Sequence, residues 1–102
     1  MIQVIASLTT NPDEPEALKK YFEIALPLVA SVGARVSQRI TMGDPVIGEQ
    51  ASEMILVVDY PSYQAIDDVF QSAAYRSIIE ARDKAFLKYN ICIVDDNELV
   101  PC

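Results

Sequence analysis

The side chains best suited to chemistry lie on one face of a predicted helix in the second half of the chain. Five residues recur there at steps of three, one, three and four: Tyr75, Ile78, Ile79, Arg82 and Phe86. Arg82 is therefore a charge within an apolar stripe, where it must be paired or solvated. Its guanidinium offers a planar fork of donors and Tyr75 offers a hydroxyl, so the two could bind a carboxylate or phenolate together.

A structural role for Arg82 competes with ligand binding. The guanidinium could pair with Asp59 at the end of a strand, or with Asp67 or Asp68 on the preceding helix. Such a pair would only hold the helix against the sheet. The long side chain could also reach solvent while its stem stays packed. The sequence leaves these roles open, with the internal ion pair leading.

The composition excludes several classes of catalysis. The chain contains no histidine and no tryptophan. The commonest general base, the commonest metal ligand and every Ser/His or Cys/His pair are therefore missing. The acidic clusters at 67–68 and 95–98 lack the geometry of a carboxylate dyad or a calcium loop. We expect no metal and no cofactor.

The two cysteines predict a reducing compartment. Cys92 lies in an apolar run, where we expect it to pack in the core, and Cys102 ends the chain. A strand interior and a terminal tail make a poor disulfide pair. A cysteine without a base or a helix N-terminus beside it is also a poor nucleophile.

Length and charge limit the partners. The 102 residues suit a single domain over residues 1–102. Eight basic residues against 15 acidic ones give a net charge of −7, which repels phosphate backbones and anionic lipid surfaces. No apolar run approaches the roughly 20 residues of a membrane span, and the N-terminus lacks a basic signal-peptide region. We therefore expect a cytoplasmic protein that binds neither nucleic acid nor membranes.

Hydrophobic periodicity predicts four strands and three helices. Alternating or continuous apolar residues indicate strands over residues 2–9, 34–41, 54–60 and 91–94. The first helix should start at Asn11 as N-cap with Pro12 in the first turn, bend at Pro27 and end before Gly33. A short helix over 62–72, capped by Ser62, should precede a longer one that ends near residue 89.

The order βαββαβ predicts a ferredoxin-like α+β fold, a four-stranded antiparallel sheet with its helices on one face. The other face would carry Ile5, Ile55, Val57 and either Ile93 or Val94. Soluble monomers rarely expose such a contiguous apolar patch. The sheet of a second copy, packed face to face in a two-fold dimer, would cover it. We therefore expect a homodimer or a higher even assembly.

Three segments resemble a known family. They are residues 57–61 (Val-Val-Asp-Tyr-Pro), residues 70–75 (Phe-Gln-Ser-Ala-Ala-Tyr) and Arg82. The pattern is similar to that of an uncharacterised bacterial domain-of-unknown-function family (thirteen-thirty) in the dimeric α+β barrel superfamily. There, an apolar strand ends in Phe/Tyr-Pro, a Ser-x-x-Tyr helix start follows, and an arginine comes seven residues after the tyrosine.

The resemblance covers about residues 1–96. Ser72, Tyr75 and Arg82 fall in register, and Tyr21 and the turn at residues 33–35 fit as well. The likeness implies a ferredoxin-like dimer with Arg82, Tyr75, Tyr21 and Ser72 as candidate ligand contacts. It implies no established reaction.

The wider superfamily includes cofactor-independent oxygenases, haem-degrading enzymes and relatives of chlorite dismutase. Their histidine and tryptophan site residues have no counterpart in this chain, so haem bound through histidine is excluded. Three hypotheses remain. The first is a small-molecule-binding dimer whose pocket between helices and sheet takes an anionic or phenolic ligand. The second is a cofactor-free oxygenase or isomerase using that pocket, and the third is a non-catalytic structural or regulatory partner protein.

Overall fold

The computed structural model describes residues 1–94, in which one sheet is backed by helices. The elements follow in the order β1 (Ile2–Thr10), α1 (Pro15–Ser31), β2 (Arg35–Thr41), β3 (Met54–Tyr60), α2 (Tyr63–Phe70), α3 (Ala73–Arg76), α4 (Ile79–Ala85) and β4 (Phe86–Ile93). All neighbouring strands are antiparallel, in the order β2-β3-β1-β4. The predicted ferredoxin-like α+β fold is confirmed. The acidic cluster at 95–98 and Cys102 lie outside the described residues.

The core lies between the sheet and the helices. On β1, Val4 pairs with Val58 and Leu8 with Met54, and both β1 side chains are almost completely buried. Tyr21 from α1 is buried in the same cluster. Burial of each such side chain contributes about 1.5–3 kcal/mol. Among residues 1–94, no helix combines the length and the apolar character that crossing a bilayer requires.

The start of α1 differs from the prediction. The helix begins at Pro15 after Glu14, three residues later than the predicted Pro12, and no side chain caps it. The Asn11 side chain instead closes a turn, because its Oδ1 accepts from the Asp13 N–H at 3.0 Å. The Asn11 backbone N–H donates to the Ala85 carbonyl at 2.8 Å. Asn11 therefore fastens the loop after β1 to the end of α4.

The end of α1 follows the prediction. Pro27 lies within the helix, which continues to Ser31. Gly33 adopts a φ of +80°, a conformation that favours glycine. The N–H of Gly33 donates to the Ala30 carbonyl and that of Ala34 to the Val29 carbonyl, which satisfies carbonyls at the helix end.

The long helix predicted to end near residue 89 is wrong. Two short helices, α3 and α4, replace it, because the chain leaves the helical conformation at Ile78, which has a φ of −113°. Ser72 starts α3: its Oγ accepts from the Tyr75 N–H at 3.1 Å and donates to the Val69 carbonyl at 2.7 Å. Ser62 caps α2 as predicted, accepting from the Ala65 N–H. Phe86, which the helical periodicity placed on the stripe, opens β4 five residues before the predicted strand, because pairing with β1 overrides that periodicity.

The sheet face away from the helices has no helix above it, and the exposure of its isoleucine and valine side chains ranges from 9% for Val57 to 38% for Ile40. The strand registers place Ile5 opposite Val57 and Cys92, and Ser7 opposite Ile55. Cys92 is exposed on this face, so the prediction that it packs in the core is wrong; the alternation of β4 turns it away from the helices. The same alternation puts Ile93, opposite Val4, on the helix side. The predicted patch therefore contains Ile5, Ile55 and Val57 without Ile93.

Replacing Gly33 with alanine should lower the free energy of unfolding by about 1 kcal/mol. The reason is backbone strain at positive φ, because a Cβ there would meet its nearest neighbour, a Pro61 side-chain carbon, at an ordinary 3.8 Å. Gly43→Ala is the matched control, since its Cβ would meet nothing within 4 Å and its φ is not positive. Chemical denaturation measures both. Equal stability of the two variants would contradict the assignment.

Candidate functional site

Three tyrosine hydroxyls meet between the helices and the sheet. Tyr21 comes from α1, Tyr75 from α3 and Tyr89 from β4. The Tyr21 Oη lies 3.0 Å from the Tyr75 Oη and 2.6 Å from the Tyr89 Oη. The three hydroxyls therefore form a chain of hydrogen bonds with Tyr21 in the middle, which we call the tyrosine relay.

Aromatic packing fixes the relay in place. The Tyr21 ring makes edge-to-face contacts with four neighbouring rings, those of Phe22, Tyr75, Phe86 and Tyr89. Such contacts add about 0.5–1.5 kcal/mol each beyond the area they bury. Tyr21 is 2% exposed, and its hydroxyl lies between those of Tyr75 and Tyr89.

Arg82 extends the relay at the Tyr75 end. Its Nη1 lies 3.4 Å from the Tyr75 Oη, and its guanidinium carbon lies 5.9 Å from the centre of the Tyr75 ring. Its Nη2 lies 3.3 Å from the Asp83 Oδ1. The Arg82 side chain is 30% exposed and that of Asp83 67% exposed, so this ion pair is a surface pair of small energy.

The ion-pair partners predicted for Arg82 are wrong. Within residues 1–94, its carboxylate neighbour is Asp83, not Asp59, Asp67 or Asp68. Asp59 follows Val58 in the alternation of β3, so it faces the open side of the sheet, where its Oδ2 lies 4.0 Å from Arg35. The carboxylates at 67 and 68 are exposed on α2. Arg82 therefore does not tie α4 to the sheet through an ion pair.

A cleft of about 350 Å³ opens beside Arg82. Three polar side chains reach it, those of Tyr75, Arg82 and Tyr89. The rest of its lining is apolar and consists of Val4, Ile66, Phe70, Ile91 and Ile93. A smaller apolar cavity of about 50 Å³ lies deeper in the core and shares Tyr75 and Tyr89 with the cleft, so their rings form part of the wall between them.

The four predicted site residues take different positions. Arg82 and Tyr75 line the cleft together. Tyr21 lies behind them and reaches the cleft only through its hydrogen bonds. The Ser72 hydroxyl is occupied by the cap of α3 and the Val69 carbonyl. Their role in binding a ligand stays a prediction.

Tyr89 is a cleft residue that the sequence analysis missed. The predicted helix ended near residue 89 and hid the strand alternation of Tyr89, Ile91 and Ile93. These three residues pair with the helix-facing residues of β1 and all line the cleft. That alternation is the signal that could have found Tyr89.

The protonation states at the site follow from its burial and hydrogen bonds. Burial, the neighbouring Tyr89 and hydrogen bonds to both partners raise the pKa of Tyr21 far above its ordinary value. Burial also raises the pKa of Tyr89, although its hydrogen bond to Tyr21 and the charge of Arg82 oppose the shift. The hydrogen bond to Tyr75 raises the pKa of Arg82 despite partial burial. At neutral pH the site therefore holds the Arg82 cation and the protonated hydroxyls of Tyr21 and Tyr89.

The βαββαβ order and the antiparallel sheet backed by helices define a ferredoxin-like α+β protein. The model of the family described as "Domain of unknown function (DUF1330)" matches residues 4–97. The chain belongs to this family, as the residue pattern predicted. A comparison with curated proteins found no match.

Solved structures support the fold. A protein of unknown function from Rhodopseudomonas palustris is similar at a TM-score of 0.80 and 18% identity, over 96% of this chain and 83% of that one. A dimeric protein of ferredoxin-like fold and unknown function from Bacteroides fragilis gives 0.59 and 9%, over 92% and 94%. A candidate antibiotic biosynthesis monooxygenase from Nitrosomonas europaea gives 0.63 and 13%, over 93% and 97%. At these identities the likeness shows the fold alone.

The free energy of unfolding should fall as the pH rises above about 10. The folded chain holds the Tyr21 and Tyr89 protons to higher pH than the unfolded chain does, and burial with a contribution from Tyr75 raises the pKa of Tyr60 to about 12. Their stabilisation is complete below the ordinary tyrosine pKa of about 10 and is lost at about 1.4 kcal/mol per pH unit for each group.

Urea denaturation at pH about 8, 10 and 11 measures this slope in the wild type and in Tyr21→Phe and Tyr60→Phe. Each substitution removes one titrating hydroxyl, so the free energy of unfolding should fall less steeply with pH, by about 1.4 kcal/mol per pH unit. Identical slopes in the wild type and both variants would show that these hydroxyls are not the source of the pH dependence.

Proposed function

We propose that this protein binds a small anionic or phenolic ligand in the cleft, with Arg82, Tyr75 and Tyr89 around the ligand's charged oxygen. The observation that carries the proposal is the position of Arg82. Its guanidinium lies at the mouth of an apolar cleft beside tyrosine hydroxyls, and its only carboxylate partner in the described chain is the exposed Asp83. An anion in the cleft would accept hydrogen bonds from the Arg82 guanidinium and pair with its charge.

The cleft has the general properties of a ligand site. Its volume of about 350 Å³ falls within the usual range for small molecules, roughly 300–1,000 Å³. Apolar walls would take a ring or chain, while the three polar side chains at one end would fix its orientation. A small carboxylic acid or phenol with an apolar body fits this distribution.

The same proposal includes a homodimer formed through the open sheet faces. Ile5 lies at the centre of that face, between Val57 and Cys92, with Ile55 and Ile40 paired nearby. Covering these side chains with a second sheet would gain about 25 cal/mol for each Å² removed from water. The fold neighbour from Bacteroides fragilis is described as dimeric. The clefts lie on the opposite side of each sheet and would stay accessible.

A cofactor-free oxygenase or isomerase is the second candidate. The fold neighbour from Nitrosomonas europaea, a candidate antibiotic biosynthesis monooxygenase, favours this class. A phenolate held by Arg82 would be more electron-rich than the free phenol, and the buried tyrosine relay could carry a proton. Oxygen consumption or product formation with a compound that binds would separate this candidate from simple binding.

Small carboxylates, phenols or quinones that bind should raise the melting temperature of the wild type but not of Arg82→Ala. Ligand at 100 times its Kd stabilises the folded state by about 2.7 kcal/mol through mass action. Removing the guanidinium leaves an anion without its charge partner, so the affinity should fall by at least about tenfold. A thermal-shift screen measures both proteins.

Arg76→Ala is the matched control, because it removes the same charge from an exposed position of α3 outside the cleft. It should respond to the hits as the wild type does. No hit on the wild type, or an equal response of Arg82→Ala and Arg76→Ala, would reject the cleft as the binding site and favour a non-catalytic partner protein.

Ile5→Glu should convert the homodimer to a folded monomer. The carboxylate would lie in the middle of the buried dimer interface without a partner, which costs several kcal/mol. Sedimentation at micromolar concentration measures the assembly. Tyr63→Glu adds the same charge at an exposed position on the helix side and should stay dimeric. A monomeric wild type would refute the pairing of the sheets.

A further inference from the structure

The smaller cavity behind the cleft, which we call the core cavity, is lined by apolar side chains and tyrosine rings. Its volume is about 50 Å³, and none of the lining side chains in residues 1–94 carries a charge. Two of them are alanines on different elements, Ala6 on β1 and Ala25 on α1. Both are buried, at 6% and 7% exposure. The cavity therefore lies where two elements of the core each contribute only a methyl group.

The core cavity offers little to a water molecule. A buried water makes about three hydrogen bonds, to polar groups that otherwise lack partners. Four tyrosines line the cavity, and the hydroxyls of three of them already have partners in the tyrosine relay. Tyr60 brings the fourth hydroxyl, and one hydroxyl alone is too few to hold a water. Such a cavity is better suited to an uncharged apolar molecule.

The volume of the core cavity limits the size of that molecule. A guest as small as water needs roughly 10–15 Å³ of such space, whereas an apolar cavity known to take a benzene ring measures about 150 Å³. At about 50 Å³ the core cavity can hold a diatomic gas molecule but not an aromatic ring. Among the diatomic gases dissolved in water, dioxygen is the abundant one that reacts with organic molecules.

We propose that the core cavity is a binding site for dioxygen, separated from the cleft by a wall of side chains. Tyr75 and Tyr89 line both spaces, so a molecule in the cavity and a ligand in the cleft would contact the same two rings. The dioxygen site goes beyond the proposed ligand site and does not depend on it, because Arg82 is not part of the cavity lining. It would hold, beside the cleft, the co-substrate that an oxygenase needs.

Dioxygen is paramagnetic, so it speeds the nuclear relaxation of the methyl groups that it approaches. The relaxation rates of isotope-labelled alanine methyl groups are measured by NMR under dioxygen and under nitrogen at the same pressure. The increase caused by dioxygen should be at least about twofold larger at Ala6 and Ala25 than at Ala34 and Ala65, because the gas collects in apolar space. Ala34 and Ala65 are matched controls, since they are 7% and 5% exposed and lie outside the cavity lining.

Ala6→Val fills the core cavity from the sheet with two further methyl groups. The effect of dioxygen at Ala25 should then fall to the level of Ala34, because the gas has lost its space. Ala65→Val is the matched control: it adds the same methyl groups at a buried alanine outside the lining. In that variant the effect of dioxygen at Ala6 and Ala25 should equal that in the wild type.

An equal effect of dioxygen at all four alanines of the wild type would overturn the proposal. So would a full effect at Ala25 in a folded Ala6→Val, since the gas would then lie outside the core cavity. If Ala6→Val does not fold, Ala25→Val fills the cavity from α1, and the methyl group of Ala6 reports the loss or the persistence of the effect. The thermal-shift screen tests the cleft separately, so the ligand site and the dioxygen site can fail independently.

Discussion

The two hydrogen bonds of the Tyr21 hydroxyl join side chains from three different elements, and the candidate site depends on them. Tyr75 lies on a helix of four residues and Tyr89 on an edge strand, and neither element alone would hold a side chain firmly. The long helix α1 supplies the rigid support through Tyr21. The ring contacts of Tyr21 then fix where the hydroxyls of Tyr75 and Tyr89 meet the cleft.

The alternation of side chains along each strand divides the molecule into two surfaces with different uses. The face that contains Val4 and Val58 packs under the helices and forms the back of the cleft. The face that contains Ile5 and Val57 carries apolar side chains with no helix above them. Since successive residues of a strand point to opposite faces, the proposed ligand site and the proposed dimer interface share strands without sharing side chains.

The sequence was most informative where a local rule agreed with the tertiary structure. The sheet, the glycine at position 33 after the end of α1 and the Ser62 cap followed from periodicity and turn chemistry. Phe86 and Tyr89 did not, because a helical repeat and a strand alternation overlap in that segment and only pairing with β1 decides between them. The sequence could have rejected Asp59 as the partner of Arg82, because Asp59 lies two residues after Val57 and strand alternation puts both on the face away from the helices. From the sequence, Tyr75 was paired correctly with Arg82. The two residues are seven positions apart, and their side chains remain in contact across the break between α3 and α4.

A net charge of −7 repels the proposed anionic ligand at long range, whereas Arg82 would attract it at short range. Charges on the surface are screened over about 8 Å at physiological ionic strength, so the acidic residues act weakly on a molecule already inside the cleft. Arg82 and Tyr89 would act at contact distance, between apolar side chains where a charge-assisted hydrogen bond is strong. In the proposed function, the overall charge would therefore affect the rate at which an anion reaches the cleft, while the hydrogen-bond donors of the cleft would set the rate at which it leaves.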